Sequence, residues 1–218
     1  VYAVTDQPAS DNQSRVNTFV HPNPSGRDHY GVLLCVNGSG IANSWMRELT
    51  SAESYAAMND MAATIEPGSD GLMVYPFGNG AERMLGNRNV QASIRGIEFN
   101  RHSKPHIYRA VQEGVIFALK YGFDVLESLQ CTADVIRASD ANMFLSPLFS
   151  QLFSTITGSR LEIYDTDGAK GAALAAGVGQ GLYRSMQEVP LTKLRDYSPD
   201  KKSNYKEIYL NWKENFNI

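Results

Sequence analysis

The longest patterned segment of this chain is an amphipathic helix predicted over residues 103–128. Ser103 is placed to cap its first turn, and Pro105 fits there because the first turn makes no use of that N–H group. Apolar residues then recur at the spacing of one helix face, at Ile107, Val111, Val115, Ala118, Leu119, Gly122 and Leu126. A helix of this length with an unbroken apolar stripe must be covered by other elements, so we predict that it is the central packing element.

Short strand and helix patterns lie on both sides of this helix. Strands are predicted at 1–5, 16–21, 30–36, 71–77, 96–99, 135–139 and 161–164, and further helices at 41–49, 53–65, 147–156, 169–183 and 205–216. The second and third strands are separated by a turn rich in Pro and Gly at 22–26. We expect these two strands to form an antiparallel hairpin.

Composition limits the class of protein. Hydrophobic residues make up 43% of the 218 residues and charged residues 20%, which is typical of a globular chain, and we favour one domain over two. The formal net charge of −3 gives no electrostatic reason to expect nucleic acid or an anionic membrane as a partner. No apolar run approaches the roughly 20 residues of a membrane span. We therefore expect a soluble, cytoplasmic protein.

Two features concern the environment and the extent of the chain. Cys35 and Cys131 lie on apolar segments, so we expect buried thiols in a reducing compartment and no disulfide. The sequence opens on a strand pattern at 1–5 without an initial methionine. We interpret it as part of a longer protein whose preceding residues are absent.

A candidate site lies between the predicted strand at 135–139 and the helix that follows. Asp140, Ala141 and Asn142 form a turn, Ser146 is placed to cap the helix, and Pro147 fits its first position. This arrangement places backbone N–H groups where an anion can bind, as in a phosphate or nucleotide site. It is also the pattern of an ordinary connection between a strand and a helix, which the residues alone favour.

A second strand-to-helix turn is predicted at 37–40, with the sequence Asn-Gly-Ser-Gly. It is a partial G-x-G-x-x-G motif, because Asn43 stands where the third glycine would be. In the following helix, Trp45 and Met46 are expected on the apolar side. A tight structural turn is favoured over a dinucleotide site.

Three weaker features complete the set of candidates. His102 and His106 have the spacing of metal ligands on a helix, but no adjacent Glu completes a metalloprotease motif, so a metal site is disfavoured. Glu82 and Arg83 follow a turn and are expected to be solvated or to contact a partner domain. The helix at 169–183 is rich in Gly and Ala, which favours close helix packing over a ligand.

Taken together, these segments resemble the C-terminal domain of the FGGY carbohydrate kinases, most closely the xylulokinases, over nearly the whole chain. The resemblance rests on the turn at 37–40 with Trp45, the YPFGNGAER run at 75–83, Ile94 to Ile97, the RAVQEG run at 109–114 and the DGAKGAA run at 167–173. The order and spacing of these segments make the match specific. In one departure, Ala-Asn-Met-Phe at 141–144 stands where most relatives have a glycine-rich GGGA loop.

The resemblance implies an α/β fold, namely an actin-like ATPase domain with a ribonuclease-H-like fold, in which a mixed sheet is flanked by helices and the first strands are lacking. Residues 1–218 would be the C-terminal, ATP-side domain of a two-domain sugar kinase. ATP is the implied cofactor, together with Mg²⁺. The residues then expected to bind ATP are Gly40, Ser44, Ala141, Asn142 and Ser146.

The implied activity is ATP-dependent phosphorylation of a ketopentose such as D-xylulose, with ribulose, gluconate and glycerol as alternative substrates. The implied partners are an N-terminal kinase domain and the sugar, and a homodimer is left open. The family's catalytic aspartate and Gly-Thr phosphate loop precede the strand at Val1, so we expect no catalytic residue or metal ligand here and no activity of the chain alone. The rival hypothesis is a non-catalytic actin-like assembly module that uses the long helix and the loop of Glu82 and Arg83.

Overall fold

The computed structural model describes residues 1–21 and 28–216. In chain order its strands and longer helices are β1 (Tyr2–Thr5), β2 (Asn17–Val20), β3 (Tyr30–Leu33), α1 (Ser39–Leu49), α2 (Tyr55–Ala63), β4 (Met73–Tyr75), β5 (Ser93–Arg95), α3 (Lys104–Ser128), β6 (Val135–Ser139), α4 (Pro147–Thr157), β7 (Arg160–Tyr164), α5 (Gly168–Gly179), β8 (Lys193–Tyr197) and α6 (Tyr205–Phe216). The turn predicted at 22–26 lies outside the described residues.

The described strands form three small sheets. The first is antiparallel with the order β1-β3-β2, which confirms the predicted hairpin of β2 and β3. The second pairs β4 with β5. In the third, of order β6-β7-β8, β6 and β7 run parallel and β8 is antiparallel to β7, so the fold is a mixed α/β architecture with helices beside the sheets.

The long helix α3 is the central packing element, as its apolar stripe predicts. Ser103 and His106 form a capping box at its start, and residues 108–118 are buried on every side of the helix. Gly114 permits a close approach to β4, because a side-chain carbon there would lie 2.2 Å from the Val74 carbonyl oxygen. Contacts with α1, α2 and α4 surround α3 with the other helices.

The charged groups buried on α3 are paired, as burial of charge requires. The Nε of Arg109 donates to Oε1 of Glu113 at 2.8 Å, and the hydroxyl of Tyr205 on α6 donates to the same oxygen at 2.6 Å. Ser69 donates its hydroxyl to the other oxygen of Glu113 at 2.9 Å. The RAVQEG run thus ties α3 to α6 and to the segment after α2.

The C-terminal helix α6 covers the end of β4. Trp212 is fully buried, its ring stacks on Tyr75 at 4.9 Å, and its Nε1 donates to the Val74 carbonyl at 2.9 Å. Tyr75 returns a hydrogen bond from its hydroxyl to the Trp212 carbonyl at 2.9 Å. The aromatic residues of α6 are therefore part of the core, and they join the end of the chain to its centre.

Two predicted elements differ clearly from the structure, and one strand of the structure was not predicted. No strand is formed at 96–99, because β5 ends at Arg95 and Gly96 adopts a φ of +76°, at a position where an added side-chain carbon would lie 2.5 Å from the Gly71 carbonyl oxygen. The helix at 169–183 ends at Gly179, and Gly181 turns the chain with a φ of +77°. Strand β8 was not predicted, since Lys193 to Tyr197 alternates without a strong apolar face.

Two side-chain predictions are also corrected. Cys131 is buried, and burial raises the pKa of its thiol, but Cys35 is exposed. On α1, Met46 is buried as expected, whereas Trp45 keeps 53% of its surface exposed.

None of the helices among residues 1–21 and 28–216 combines the length and hydropathy needed to cross a membrane.

Candidate functional site

The first candidate turn joins β3 to α1 and packs against the loop after β4. Gly38 is required there, because a side-chain carbon would lie 1.5 Å from the Pro76 carbonyl oxygen. Asn37 donates its side-chain amide to the Ala81 carbonyl at 2.8 Å, and Asn79 donates to the Asn37 carbonyl at 3.3 Å. The glycine of this turn thus serves close backbone packing within the domain.

A buried carboxylate holds the same turn. Glu82 is fully buried and accepts hydrogen bonds from the backbone N–H groups of Asn37 and Gly38 at 3.1–3.2 Å. Burial raises the pKa of Glu82 above its ordinary value, and the bonds from Asn37 and Gly38 oppose that shift. The prediction that Glu82 is solvated or meets a partner domain is wrong. Glu82 is buried, and its partners Asn37 and Gly38 belong to the same domain, 45 and 44 positions earlier in the chain.

Gly40 and Ser44 stand one turn apart on α1. A side-chain carbon built on Gly40 would meet nothing within 4 Å, so packing within the chain does not explain this glycine. Ser44 is half-buried, and its hydroxyl donates to the Ile41 carbonyl at 3.0 Å while its oxygen can still accept. This side of α1 therefore has room for a ligand beside the backbone.

The second candidate turn joins β6 to α4. Asn142 is exposed and adopts a φ of +52°, which starts a short 3₁₀ turn at Asn142–Leu145. Ser146 is buried and accepts from the Phe149 N–H at 3.2 Å, and Pro147 follows as the first residue of α4. The predicted cap is confirmed, and it occupies the Ser146 oxygen.

A cation beside this turn was missed by sequence reasoning. Arg195 of β8 forms an ion pair with Asp140, and it donates to the Phe144 carbonyl at 3.1 Å. Its partners are more than 50 positions earlier in the chain, and β8 itself was not predicted. Arg195 fixes both ends of the turn that contains Ala141 and Asn142.

The structure places the five predicted residues in two groups. Ala141, Asn142 and Ser146 lie on one connected turn, and Gly40 and Ser44 lie on α1. The elements carrying the groups share one core, since Ala42 of α1 and Met143 of the turn pack against the same buried cluster. Both α1 and α4 also contact α3, which gives the two groups a common support.

Two cavities lie elsewhere. One of about 350 Å³ lies between α1 and the β4–β5 hairpin, and one of about 670 Å³ lies between β1 and β6 above α3. Neither is lined by any of the five predicted residues. The first is bordered by Ile41 and Trp45, on a different side of α1 from Gly40 and Ser44.

The histidine pair has structural roles. His106 accepts from the Ser103 N–H at 3.3 Å in the capping box, and His102 accepts from the Glu98 N–H at 2.9 Å. Across residues 1–21 and 28–216, no group of three or more His, Cys, Asp or Glu side chains is arranged to hold a metal ion.

The loop carboxylates after β6 and β7 are engaged as well. Asp140 pairs with Arg195, Asp165 accepts from Lys170 at 3.1 Å, and Asp167 caps α5 by accepting from the Lys170 N–H at 2.7 Å. Of the α5 glycines, Gly177 shows the expected close packing, since an added side-chain carbon would lie 3.1 Å from the Tyr183 ring, whereas Gly168, Gly171 and Gly179 have nothing within 4 Å of such a carbon.

Comparison with known sequences gives a family match. The profile of the FGGY family of carbohydrate kinases, C-terminal domain, matches residues 1–179. A xylulose kinase from Lactococcus lactis subsp. lactis (strain IL1403) is 26% identical over 215 residues, which are 94% of this chain and 42% of that protein. A gluconokinase from Bacillus subtilis (strain 168) is 27% identical over 168 residues, 68% of this chain and 32% of that protein. The chain spans less than half the length of these relatives.

Solved structures give the same result. The ligand-bound xylulose kinase from Lactobacillus acidophilus matches with a TM-score of 0.83 and 25% identity over 99% of this chain and 44% of that chain. The xylulose kinase from Rhodospirillum rubrum also matches with a TM-score of 0.83, at 20% identity and the same coverage. The chain has the actin-like ATPase fold of these kinases, with mixed sheets flanked by helices. With residues 1–179 matched to the family profile and the whole chain matched in fold, this chain belongs to the FGGY family of carbohydrate kinases.

Proposed function

We propose that the intact protein transfers a phosphoryl group from ATP to a hydroxyl of a sugar, and that residues 1–218 are its nucleotide-side, C-terminal domain. The observation that carries this proposal is the family match over residues 1–179. D-xylulose is the substrate we favour, because several of the similar proteins are xylulose kinases. Use of ATP also makes the cytoplasm the expected location.

In this function the chain's own residues bind and orient the nucleotide. The open side of Gly40 lets backbone approach a ligand closely, and the exposed amide of Asn142 can donate to or accept from it. Ala141 and Ser146 shape the turn that presents Asn142, and Ser44 offers a hydroxyl oxygen one turn from Gly40. Phosphoryl transfer depends mainly on such positioning together with electrostatic support.

The catalytic base is proposed to come from outside this chain. Glu82 is buried against the turn before α1, Asp140 pairs with Arg195, and Asp167 caps α5. A base must reach the substrate hydroxyl within hydrogen-bond distance, which these engaged carboxylates are not placed to do. The proposed partner is an N-terminal domain that supplies the base and most contacts to the sugar.

Binding of the accompanying Mg²⁺ is consistent with a nucleotide-binding domain that works together with a second domain. In nucleotide sites Mg²⁺ is held by phosphate oxygens, water and one or two carboxylates, and it neutralises charge on the phosphates. The described residues contain no cluster that would hold the ion by itself. The ion would therefore be bound mainly by ATP and by the rest of the intact protein.

The assembly module is less well supported than the kinase. That hypothesis relied on the long helix and on the loop of Glu82 and Arg83. Residues 108–118 of α3 are buried, Glu82 is buried as well, and Arg83 donates to the Ser14 carbonyl at 2.7 Å. Both residues that the hypothesis named in this loop are thus engaged within the domain.

The test is a substrate panel with the intact protein. ADP formation from ATP and Mg²⁺ is measured with D-xylulose, D-ribulose, D-gluconate and glycerol, and without acceptor as the control. We expect the highest kcat/KM with D-xylulose. A preference for gluconate or glycerol would support the proposed sugar kinase activity but contradict the choice of D-xylulose as the substrate. ADP formation that no acceptor stimulates would contradict the proposed function. Size-exclusion chromatography of the same sample determines whether the protein is a homodimer.

A further inference from the structure

The turn before α1 depends on a carboxylate that is not among the proposed nucleotide-binding residues. Oε1 of Glu82 accepts from the Gly38 N–H at 3.1 Å and from the Asn37 N–H at 3.2 Å, and Oε2 accepts from the Asn37 N–H at 3.1 Å. These are long-range bonds between loops, so they fix the position of one loop against the other.

The loop that carries Glu82 is itself well held. The Glu82 N–H donates to the Arg88 carbonyl at 3.0 Å, and the Glu82 carbonyl accepts from the N–H groups of Leu85 and Asn87 at 3.1 and 3.0 Å. Because its own backbone is bound on both sides, the Glu82 side chain is a rigid anchor. The Asn37–Gly38 turn follows the position that this anchor sets.

Stability alone does not explain an acid at this position. Glu82 is fully buried, and in the described part of the chain no Lys, Arg or His forms an ion pair with it. Burying an unpaired carboxylate is costly, and the single oxygen of a neutral amide could reach both N–H groups without that cost. The ionised form does offer two oxygens that accept from two successive N–H groups at once.

We propose that Glu82 is a positioning residue for the nucleotide: it fixes Asn37 and Gly38, and thereby sets where α1 begins and where Gly40 and Ser44 stand. The helix begins at Ser39, directly after the anchored Gly38, so a displacement of the turn is transmitted to both residues. Glu82 itself makes no contact with the nucleotide in this proposal. The inference rests on the proposed ATP site and adds the residue that aligns it.

The test compares Glu82→Gln with Glu98→Gln in the intact protein. In Glu82→Gln the oxygen that accepts from the Gly38 N–H can be kept, but an NH₂ group replaces the oxygen that lies 3.1 Å from the Asn37 nitrogen, so the turn must shift while the fold is kept. We expect KM for ATP and the dissociation constant of ATP to rise about three- to tenfold, with kcat and KM for the sugar within about twofold. Glu98 is an exposed carboxylate on the loop after β5, and its variant is expected to match the unmodified protein.

A second variant, Glu82→Asp, separates positioning from folding. Asp retains two oxygens on a shorter side chain, so it should restore part of the ATP affinity that Gln loses. Unchanged ATP binding in Glu82→Gln would overturn the proposal, and so would a loss of thermal stability with kcat and both KM values changed together. A protein that binds ATP but phosphorylates no sugar would remove the proposed function, and the ATP dissociation constants of the variants would then decide the role of Glu82. A protein that binds no ATP would overturn both.

Discussion

At the scale of single residues, Asn142 combines an exposed amide with a backbone conformation that few residues adopt. Its φ of +52° lies in the left-handed region, which Gly and Asn tolerate better than other residues. A large side chain at this position would therefore strain the turn as well as remove the amide. A substitution that tests ligand binding has to keep the backbone conformation and change only the side chain.

Asn142→Gly meets this condition, and we predict that it raises KM for ATP about threefold or more while thermal stability stays unchanged. The reason is that glycine accepts the left-handed conformation but has no side-chain amide that could contact the nucleotide. Steady-state kinetics with ATP and sugar varied separately provide the measurement. The comparison variant Asn142→Leu should lose stability as well. If Asn142→Gly leaves ATP kinetics unchanged, the Asn142 amide is not part of the site.

Asp11 gives a prediction about pH. Arg15 donates to it from its side chain at 2.9 Å and from its backbone at 2.7 Å, and these bonds hold the pKa of Asp11 at about 2 in place of 3.8. Because the pKa is lower in the folded state, the stabilisation is complete above pH 3.8 and is lost as the pH falls toward 2. Asp11→Asn should lower the urea midpoint at pH 7 but have less effect near pH 2. The control is Asp60→Asn, at an exposed position of α2, which should leave the urea midpoint at pH 7 unchanged.

Residues whose partners are close in sequence were predictable, and those with distant partners were not. The caps at Ser103 and Ser146 act within three positions of the chain, so the local pattern identified both. Glu82 and Arg195 look like ordinary surface charges in the sequence. Their contacts depend on loops 44 to 55 positions away, which a single sequence does not reveal.

At the scale of elements, the sides of α1 lie in different environments. Met46 is buried in the core, and Ile41 and Trp45 border the cavity next to β5. Gly40 and Ser44 face neither, which leaves their side of the helix available to a ligand. The sequence predicted the helix but not this division, because Trp45 has the apolar character of a core residue and yet stays exposed.

Gly40→Ala tests the role of that side of α1. A methyl group at Gly40 meets nothing within 4 Å, and Ala is favoured over Gly in a helix by ~1 kcal/mol, so stability should stay the same or rise. We predict that the ATP dissociation constant nevertheless increases, because the methyl group takes space that the nucleotide uses. Calorimetric titration and thermal unfolding measure the two effects. Gly171→Ala on α5, which is equally free of neighbours, should change stability in the same direction without changing ATP binding.

At the scale of the whole molecule, two sheets present unpaired edges to one cavity. β1 is the edge of the first sheet and β6 is the edge of the third, and both line the cavity of about 670 Å³. Its other walls include Leu119, Phe123 and Phe153, which are apolar. An extended segment placed there could pair with both edges and cover this apolar surface. We infer that a strand from the remainder of the intact protein fills the cavity and joins the two sheets.

This inference leads to a prediction about the isolated chain. Residues 1–218 alone should show no ATP-dependent phosphorylation of D-xylulose, because Glu82, Asp140 and Asp167 are engaged within the domain and the strand inferred between β1 and β6 is not supplied. Adding the remainder of the intact protein as a separate chain should restore activity, measured as ADP formation.

A sharper test compares Val4→Lys, on the β1 edge that lines the cavity, with Val20→Lys on β2, the opposite edge of the same sheet. Both valines are exposed, at 54% and 72%, so neither change should unfold the chain. Val4→Lys should block the restoration of activity by placing a charge in the cavity, and Val20→Lys should permit it. Equal restoration in the two variants would show that the cavity does not receive the missing strand, and turnover by the isolated chain would show that its own residues suffice for catalysis.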